Sequence, residues 1–313
     1  MRVAVVGSVN YDTIITPRRE RRESLGGVLY NVVVLSSLLN EDSQVSLITR
    51  IGREHYSKLL ELFEARRTID LSGVRISPRG TNENRLVYVS ERERIEKLTM
   101  KAGSLKYEDI RTYLGADLIL FNFITGLEIS LSLLQETRRN SDAVIYVDVH
   151  SKVLGMREDG SRYPFGWPDW EEWLQHADIV QMSLEECRLL LNERVKSPGA
   201  LFASAKRIAA VGPTQVLITL GENGALVYWR DGGEQCESIP ASTYEVVDTT
   251  GCGDCFTAGY IWGLFKYKEP VKAACIANVV AGENCRALGL IGEVSPSVIE
   301  AAALSLYPDV FHR

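Results

Sequence analysis

The segment Asp248-Thr249-Thr250-Gly251-Cys252-Gly253-Asp254 joins a glycine-rich turn to a carboxylate, and the apolar run over residues 255–264 that follows it predicts a helix. The first backbone N–H groups of a helix have no partner within it and carry partial positive charge, so they bind phosphate oxygens well. The glycines let the main chain approach those oxygens closely. Asp254, beside the same turn, is placed to take the proton from an attacking hydroxyl. The segment therefore predicts phosphoryl transfer.

The alternative interpretation is an ordinary turn in which Asp254 is only a helix-terminal carboxylate. However, the order Asp-Thr-x-Gly-x-Gly-Asp resembles the signature of the ribokinase-like carbohydrate kinases, also called the phosphofructokinase B family. The resemblance implies that Asp254 is the catalytic base and that Gly251, Cys252 and Gly253 form the anion hole. Cys252 replaces the Ala usual in that family, a change between small residues that is compatible with the turn.

The elements that must position this turn alternate between strands and helices, a pattern typical of a largely parallel sheet covered by helices. No repeat or linker interrupts residues 1–313, so we expect one domain, and the resemblance implies a ribokinase-like three-layer α/β/α fold. Strands are expected over residues 3–6, 44–48, 86–89, 118–121, 144–147, 179–182, 215–219 and 225–228. Helices are expected over residues 28–39, 56–65, 131–138, 184–192, 255–264 and 271–286.

A second group of polar residues follows the first predicted strand, at the edge where α/β sheets bind ligands. Asn10 and Asp12 follow that strand directly, and a Gly26-Gly27 pair precedes the next helix, which carries Asn31 on its first turn. Amides and carboxylates suit sugar hydroxyls, although Asn-x-Asp is also common in ordinary turns. Because Gly-x-x-Asn-x-Asp and Gly-Gly-x-x-x-Asn resemble substrate motifs of the same family, Asn10, Asp12, Gly27 and Asn31 are implied to contact the substrate.

The donor side is predicted by a glycine turn between two strands, Thr219-Leu220-Gly221-Glu222-Asn223-Gly224. By itself the turn is typical of a hairpin, but the resemblance implies that Thr219, Gly221 and Gly224 lie against the phosphates and ribose of ATP. Glu186 matches a family Glu that organises Mg²⁺ and phosphates through water, while Ser183, a residue that can cap the helix, replaces the family Asn. The resemblance also makes Asn278 a candidate for the adenine pocket and Asp248 a candidate ligand of a monovalent cation, K⁺.

Family members usually carry a longer insert before the paired glycines, which forms part of a β lid over the sugar. Here the insert is short and includes the charged segment Thr16-Pro17-Arg18-Arg19-Glu20-Arg21-Arg22-Glu23-Ser24. We expect a reduced lid from residues 13–25 and 83–98, with the arginines in a solvated loop. Phosphate binding by these arginines is the alternative. The short lid and the Glu-Ser-Leu-Gly-Gly phrase at residues 23–27 look similar to the inositol kinase branch.

An aromatic segment, residues 163–173, holds three of the five tryptophans and follows Asp148 and His150 at the predicted ligand edge. The favoured interpretation is a long loop packed on the core, and the alternative is an aromatic shield over the substrate. His150 is expected to be a structural hydrogen-bond partner rather than a base. The remaining histidines are scattered and predict no metal cluster.

Composition limits the partners and the compartment. The net charge of −6 argues against a dedicated nucleic-acid binder, and no apolar run is long enough to predict a signal peptide or a membrane span. The six cysteines are expected to be reduced thiols. Cys252-Gly253-Asp254-Cys255 lacks the second pair that a zinc site needs. A redox pair, or a low-pKa thiol at Cys252, is a lesser hypothesis than ordinary reduced cysteines. We expect a cytoplasmic protein with no nucleic-acid or membrane partner.

Together these features predict an ATP- and Mg²⁺-dependent kinase that phosphorylates a hydroxyl of a small sugar or polyol. A nucleoside kinase is the enzymatic alternative, and base stacking by Tyr11, Tyr30 or the tryptophan segment would favour it. The other alternative is a non-catalytic ligand sensor on the same fold, against which the intact base and anion hole argue. A sheet edge left open beside a short lid would favour a homodimer.

Overall fold

The computed structural model describes residues 1–15, 19–89, 94–195, 197–241, 246–286, 289 and 292–312. In chain order, its strands are β1 (Arg2–Gly7), β2 (Val9–Ile15), β3 (Arg21–Gly27), β4 (Gln44–Gly52), β5 (Ile69–Asp70), β6 (Val74–Ser77), β7 (Asn82–Tyr88), β8 (Arg94–Thr99), β9 (Leu118–Asn122), β10 (Val144–Asp148), β11 (Leu154–Met156), β12 (Arg162–Pro164), β13 (Ile179–Ser183), β14 (Gln215–Thr219), β15 (Ala225–Arg230) and β16 (Glu234–Ile239). Its helices are α1 (Leu29–Leu38), α2 (Arg53–Phe63), α3 (Tyr107–Ile110), α4 (Leu131–Asn140), α5 (Trp170–Leu174), α6 (Leu184–Leu191), α7 (Pro198–Ala209), α8 (Cys252–Tyr267), α9 (Pro270–Cys285), α10 (Pro296–Leu306) and α11 (Pro308–Phe311). Over the described ranges, no helix has the length and apolar character needed to cross a membrane.

The central sheet has the strand order β16-β15-β14-β13-β10-β9-β1-β4-β5, with β6 also paired to β4. Pairing is parallel from β14 through to β5, and it becomes antiparallel only for β15 and β16. The inner strands are apolar along almost their whole length because helices cover both faces of the sheet. This mostly parallel sheet confirms the predicted fold class.

Alternating side chains of β1 show the layers on the two sides of the sheet. Val3 and Val5 pack in one core with residues of α1, α8 and α9, whereas Ala4 and Val6 pack in a second core with residues of α4, α6 and α7. Both α8 and α9 are buried over most of their length, as their content of Ala, Cys and Val predicts. The protein therefore has three layers, helices, sheet and helices.

A second, four-stranded sheet with the order β3-β2-β7-β8 corresponds to the predicted lid. One part of the prediction is wrong, because residues 21–24 belong to an edge strand rather than to a solvated loop. All four of these residues are exposed, so the strand lacks the alternation of polar and apolar residues that marks a half-buried strand. Arg21 and Arg22 form ion pairs with Glu23 and Glu20. Arg18 lies outside the described residues.

The tryptophan segment packs against the core, as the favoured interpretation predicts. The Phe123 ring lies 5.6 Å from the rings of both Trp167 and Trp173, in edge-to-face geometry. Trp167, Trp170 and Trp173 are all buried. Their role is therefore to attach a long connection to the helical layer beside β9, and not to cover the substrate.

Candidate active site

A cavity of about 430 Å³ opens between the lid and the carboxyl ends of the central strands. The lid lines one side, and the start of α8 together with the ends of β13 and β14 lines the other. This is the edge at which parallel sheets bind ligands. The residues of the sequence prediction that lie in its wall are Asn10, Asp12, Gly27, Glu186, Thr219, Gly251, Gly253 and Asp254.

Asp254 lies on the first turn of α8 and is only 5% exposed. Its Oδ1 accepts a hydrogen bond of 2.6 Å from Nδ2 of Asn122, the last residue of β9. Burial, together with the nearby charge of Glu186, raises the pKa of Asp254 to about 7, although the hydrogen bond from Asn122 opposes the shift. The result is a buried carboxyl group, fixed in orientation, that changes its charge near neutral pH.

Asn31 lies on the first turn of α1, as the sequence predicts, but outside the cavity wall. It is fully buried, its Nδ2 donates to the main-chain oxygen of Asp254 at 2.8 Å, and its Oδ1 accepts from Nδ2 of Asn122 at 3.0 Å. One donor hydrogen of Asn31 and one lone pair of its oxygen are thus used inside the protein, and substrate contact by Asn31 stays a prediction. Asn31 and Asn122 support Asp254 from two sides.

The glycine turn owes its shape to Gly251, which precedes α8 with a φ of 74°. A Cβ at this position would lie 2.2 Å from the ring of Tyr30, so any side chain would have to displace the turn or the ring. The Cys252 amide donates to the carbonyl of Thr249 at 3.3 Å. Cys252 therefore helps to form the turn, whereas Gly251 and Gly253 lie in the cavity wall.

A network of buried polar side chains supports the turn from the sheet side. Asp148, at the end of β10, accepts from Oγ1 of Thr257 at 2.8 Å and from Nε2 of Gln181 at 3.2 Å. Oγ1 of Thr257 and Nε2 of Gln181 also lie within hydrogen-bond distance of the carbonyl oxygen of Gly253, at 3.2 Å and 3.0 Å. Burial raises the pKa of Asp148 well above its usual value. The ends of β10 and β13 are thus joined to the turn by hydrogen bonds.

Asn122 and Gln181 are not among the site residues predicted from the sequence. The available signal was a polar residue in or directly after an apolar strand, at the carboxyl end of residues 118–121 and within residues 179–182. Such residues point to a binding edge only when the strand order brings them together. Asp148 was placed at this edge, but its contact with Thr257 depends on the packing of α8.

On the lid side, Asp12 of β2 lies opposite Asn84 of β7 in a parallel pairing, and both face the cavity. The amide oxygens of Asn10 and Asn84 are buried without a hydrogen-bond partner in the described part of the chain. Buried acceptors of this kind suit substrate hydroxyls. Gly27 has a φ of 69°, and a Cβ there would lie 2.3 Å from the carbonyl oxygen of Ser8, so the fold requires glycine at this position.

The opposite end of the cavity contains Ser183, Glu186 and Thr219. Ser183 caps α6, as predicted, because its Oγ accepts from the Glu186 amide at 3.2 Å and its own amide donates to Oε2 of Glu186 at 2.8 Å. Part of Glu186 is exposed in the cavity wall. Its carboxyl group is surrounded by protein, and this burial raises its pKa to about 7. His150 also lines the cavity, and its Nδ1 lies 2.9 Å from Oγ of Ser151, which agrees with a structural role.

Four of the residues predicted to bind the donor or a cation lie outside the cavity wall, and these roles stay predictions. Gly221 and Gly224 shape the short turn between the antiparallel strands β14 and β15, as the hairpin pattern predicts. Asn278 donates to the carbonyls of Ile239 and Pro240, at 3.4 Å and 3.1 Å. The two carboxylate oxygens of Asp248 accept from backbone amides, that of Thr250 at 2.9 Å and that of Gly289 at 3.1 Å.

The Cys252-x-x-Cys255 motif is not a pair in the structure. Cys255 is fully buried, whereas Sγ of Cys252 lies 2.7 Å from Sγ of Cys285 at the end of α9. The hypothesis of a low-pKa thiol at Cys252 is also wrong, because the Cys285 thiol and burial raise its pKa. Among the described residues, no group of three or more His, Cys, Asp or Glu side chains could hold a metal ion.

Comparison with known proteins identifies the family of the chain. Residues 1–296 match the model of the pfkB family carbohydrate kinases. The chain belongs to the pfkB family. As a member of this family, it is a phosphotransferase that acts on a hydroxyl group. Kinases of the ribokinase family use ATP and a divalent metal.

Similar proteins differ in what their names say they phosphorylate. The cytidine kinase of Thermococcus kodakarensis is 27% identical over 267 residues, which cover 83% of this chain and 87% of that protein. The ribokinase of Arabidopsis thaliana, solved with ribose and ATP, has a TM-score of 0.77 at 19% identity and covers 96% of this chain and 98% of its own. A pyrophosphate-dependent kinase solved with a pyrophosphate analogue and myo-inositol has a TM-score of 0.75 at 22% identity, over 96% of this chain and 100% of its own. The two structures show that the pfkB kinase described here has the ribokinase fold.

Proposed function

We propose that this pfkB kinase transfers the γ-phosphoryl group of ATP to a hydroxyl of a small sugar or polyol, with Asp254 as the general base. The observation that carries this proposal is the position of Asp254, a buried carboxyl group at the N-terminus of α8. It shares one cavity with the two buried amide acceptors of Asn10 and Asn84 and with Asp12. The lid residues would bind the substrate hydroxyls, and the base would deprotonate the one that reacts.

The pKa of Asp254 is suited to this role. A general base works best when its pKa lies near the working pH, and that of Asp254 is raised to about 7. The bond from Asn122 holds one carboxylate oxygen in place, so proton acceptance requires no reorganisation of the side chain. The substrate hydroxyl loses its proton to Asp254 while its oxygen forms the new bond to the γ-phosphorus. The bond from that phosphorus to the bridging oxygen breaks, and ADP leaves.

The glycine turn would stabilise the charge that spreads over the transferring oxygens. We assign this role to the amides of Gly251 and Gly253 and to the positive end of α8, because both glycines lie in the cavity wall. Mg²⁺ prefers oxygen ligands and usually keeps several waters, so the carboxylate of Glu186 at this end of the cavity would supply one ligand. When bound with ATP, Mg²⁺ would neutralise part of the phosphate charge.

Nucleoside phosphorylation is the second candidate. The cavity wall also has an apolar part, formed by Tyr30, Leu86, Ile124 and Leu154, which suits a flat base better than a small polyol. The cytidine kinase relative supports the same substrate class. In this case a ribose hydroxyl would be the acceptor, and the role of Asp254 would be unchanged.

The test is ADP release by the purified protein with Mg-ATP and single members of a panel of hexoses, pentoses, inositols and nucleosides. Stimulation by a sugar or polyol supports the first candidate, and stimulation by nucleosides alone supports the second. Ligands that raise the melting temperature without stimulating ADP release would instead support the sensor hypothesis. Pyrophosphate replaces ATP in a parallel series and tests the choice of donor.

The pH dependence of catalysis tests the electrostatics of the site. Because the base acts when deprotonated, we expect kcat/KM to rise with pH and to level off above a midpoint near 7. Glu186 titrates in the same range, so this midpoint belongs to the interacting pair. The negative charge of Glu186 raises the pKa of Asp254, so Glu186→Gln is expected to move the midpoint to lower pH.

The matched control for this measurement is Glu185→Gln, which removes an exposed charge from the neighbouring residue. Solvent screens that charge, so the midpoint of this variant should stay close to that of the wild type. A midpoint in Glu186→Gln that is unchanged or higher would contradict the proposed coupling. The midpoint is read from complete kcat/KM profiles, so a change in metal or ATP affinity alone does not imitate it.

A further inference from the structure

A thiol of the glycine turn lies next to a thiol at the end of α9. Sγ of Cys252, the first residue of α8, lies 2.7 Å from Sγ of Cys285, the last residue of α9. The two cysteines are 33 residues apart in sequence. Disulfide formation requires sulfurs about 2.0 Å apart, so only a small movement separates this contact from a covalent bond.

The surroundings keep the two sulfurs together. The carbonyl of Cys285 accepts from the amides of Val247 and Asp248, at 2.8 Å and 3.1 Å. Asn284 donates to the carbonyl of Thr250 at 2.9 Å and to Sγ of Cys252 at 3.4 Å. The end of α9 is therefore attached by hydrogen bonds to the residues that precede the turn. These bonds hold the backbones of the two cysteines close to each other.

The remaining cysteines lack this arrangement. Cys187, Cys255 and Cys275 are buried, and Cys236 is partly exposed on β16. Cys252 and Cys285 are both partly exposed, so a small oxidant can reach them. Either thiol can donate across this contact, and the hydrogen bond with Cys252 lowers the pKa of the Cys285 thiol.

We propose that Cys252 and Cys285 are a redox-active pair that forms a reversible disulfide between the anion-hole turn and the end of α9. The oxidant is a low-molecular-weight disulfide such as oxidised glutathione. The Cys285 thiolate attacks one sulfur of oxidised glutathione and forms a mixed disulfide with it. The other glutathione leaves as a thiolate and takes up a proton. The Cys252 sulfur, after losing its proton, then attacks Cys285 and releases the second glutathione. The two protein thiols lose two electrons, and the oxidant gains them.

The bond would stabilise the fold, because it closes a loop of the unfolded chain. For a loop of this length the chain-entropy model predicts a rise in melting temperature of roughly 5 °C for a protein of this size. The cross-link joins two segments that are already in contact, so it requires little distortion of the native backbone.

The test uses the full chain, incubated with oxidised glutathione and then treated with an alkylating reagent that blocks the remaining thiols. Peptide mapping by mass spectrometry is expected to show a Cys252–Cys285 cross-linked peptide that dithiothreitol removes, and the melting temperature is expected to rise and to fall back on reduction. The Cys285→Ser variant should show neither effect, and the Cys236→Ser variant should show both.

Alkylation of both thiols in place of the cross-link would overturn the proposal. A stable mixed disulfide at either residue would overturn it as well. The peptide map of the unmodified chain decides the question even if Cys285→Ser fails to fold, and it does not depend on kinase activity.

Discussion

Asp254→Asn is expected to lower kcat by about 10²- to 10⁴-fold or more, the range for the loss of a general base. The substitution keeps the shape of the side chain, and its amide oxygen can still accept the hydrogen bond from Asn122. The fold and the affinity for substrate should therefore persist, and the loss should appear in the chemical step. The measurement is steady-state ADP release, together with substrate binding followed by thermal shift.

The matched control is Asp148→Asn, because Asp148 is also a buried carboxyl group at the end of a central strand but does not lie in the cavity wall. Its contacts are with Gln181 and Thr257, so its loss should loosen the support of the turn without removing a reacting group. We expect kcat of this variant to remain within about tenfold of the wild-type value. If Asp254→Asn kept nearly full turnover while Asp148→Asn lost it, the assignment of the base would be wrong.

The glycine turn and Asp254 were predictable because their chemistry is local in sequence. Seven consecutive residues specify a left-handed glycine, a helix N-terminus and a carboxylate on its first turn. The central strands were equally accessible, since strands covered on both faces read as continuous apolar runs. The predicted strand over residues 215–219 coincides with β14.

The positioning residues could not be found in the same way. Asn122 and Gln181 gain their roles from a strand order that places β9, β10 and β13 side by side, and no local pattern encodes that order. For Asn31, the sequence suggested a ligand contact because it is a polar residue on the first turn of α1. Only the packing of α1 on α8 shows that its side chain also binds the main chain of Asp254. Strand β3 was missed because its first four residues are exposed, which leaves no periodicity to detect.

Gly251→Ala is expected to reduce kcat by about 10²- to 10³-fold, the range for the loss of a donor in an anion hole. The new Cβ would lie 2.2 Å from the ring of Tyr30, and that ring is only 4% exposed, so the packed core resists its displacement. The turn must yield instead, and its amides move away from the phosphate position. Steady-state kinetics and the melting temperature are measured together.

The control for Gly251→Ala is Gly103→Ala, which separates the steric effect from backbone strain. Gly103 has a φ of 77°, close to the 74° of Gly251, but a Cβ there would meet nothing within 4 Å. Both variants pay about 1–2 kcal/mol for an alanine in the left-handed region, so both should melt at a lower temperature. Only Gly251→Ala should lose turnover, because only there does the side chain displace the turn that we assign to the phosphate. Equal kcat values for the two variants would show that the position of this turn does not control phosphoryl transfer.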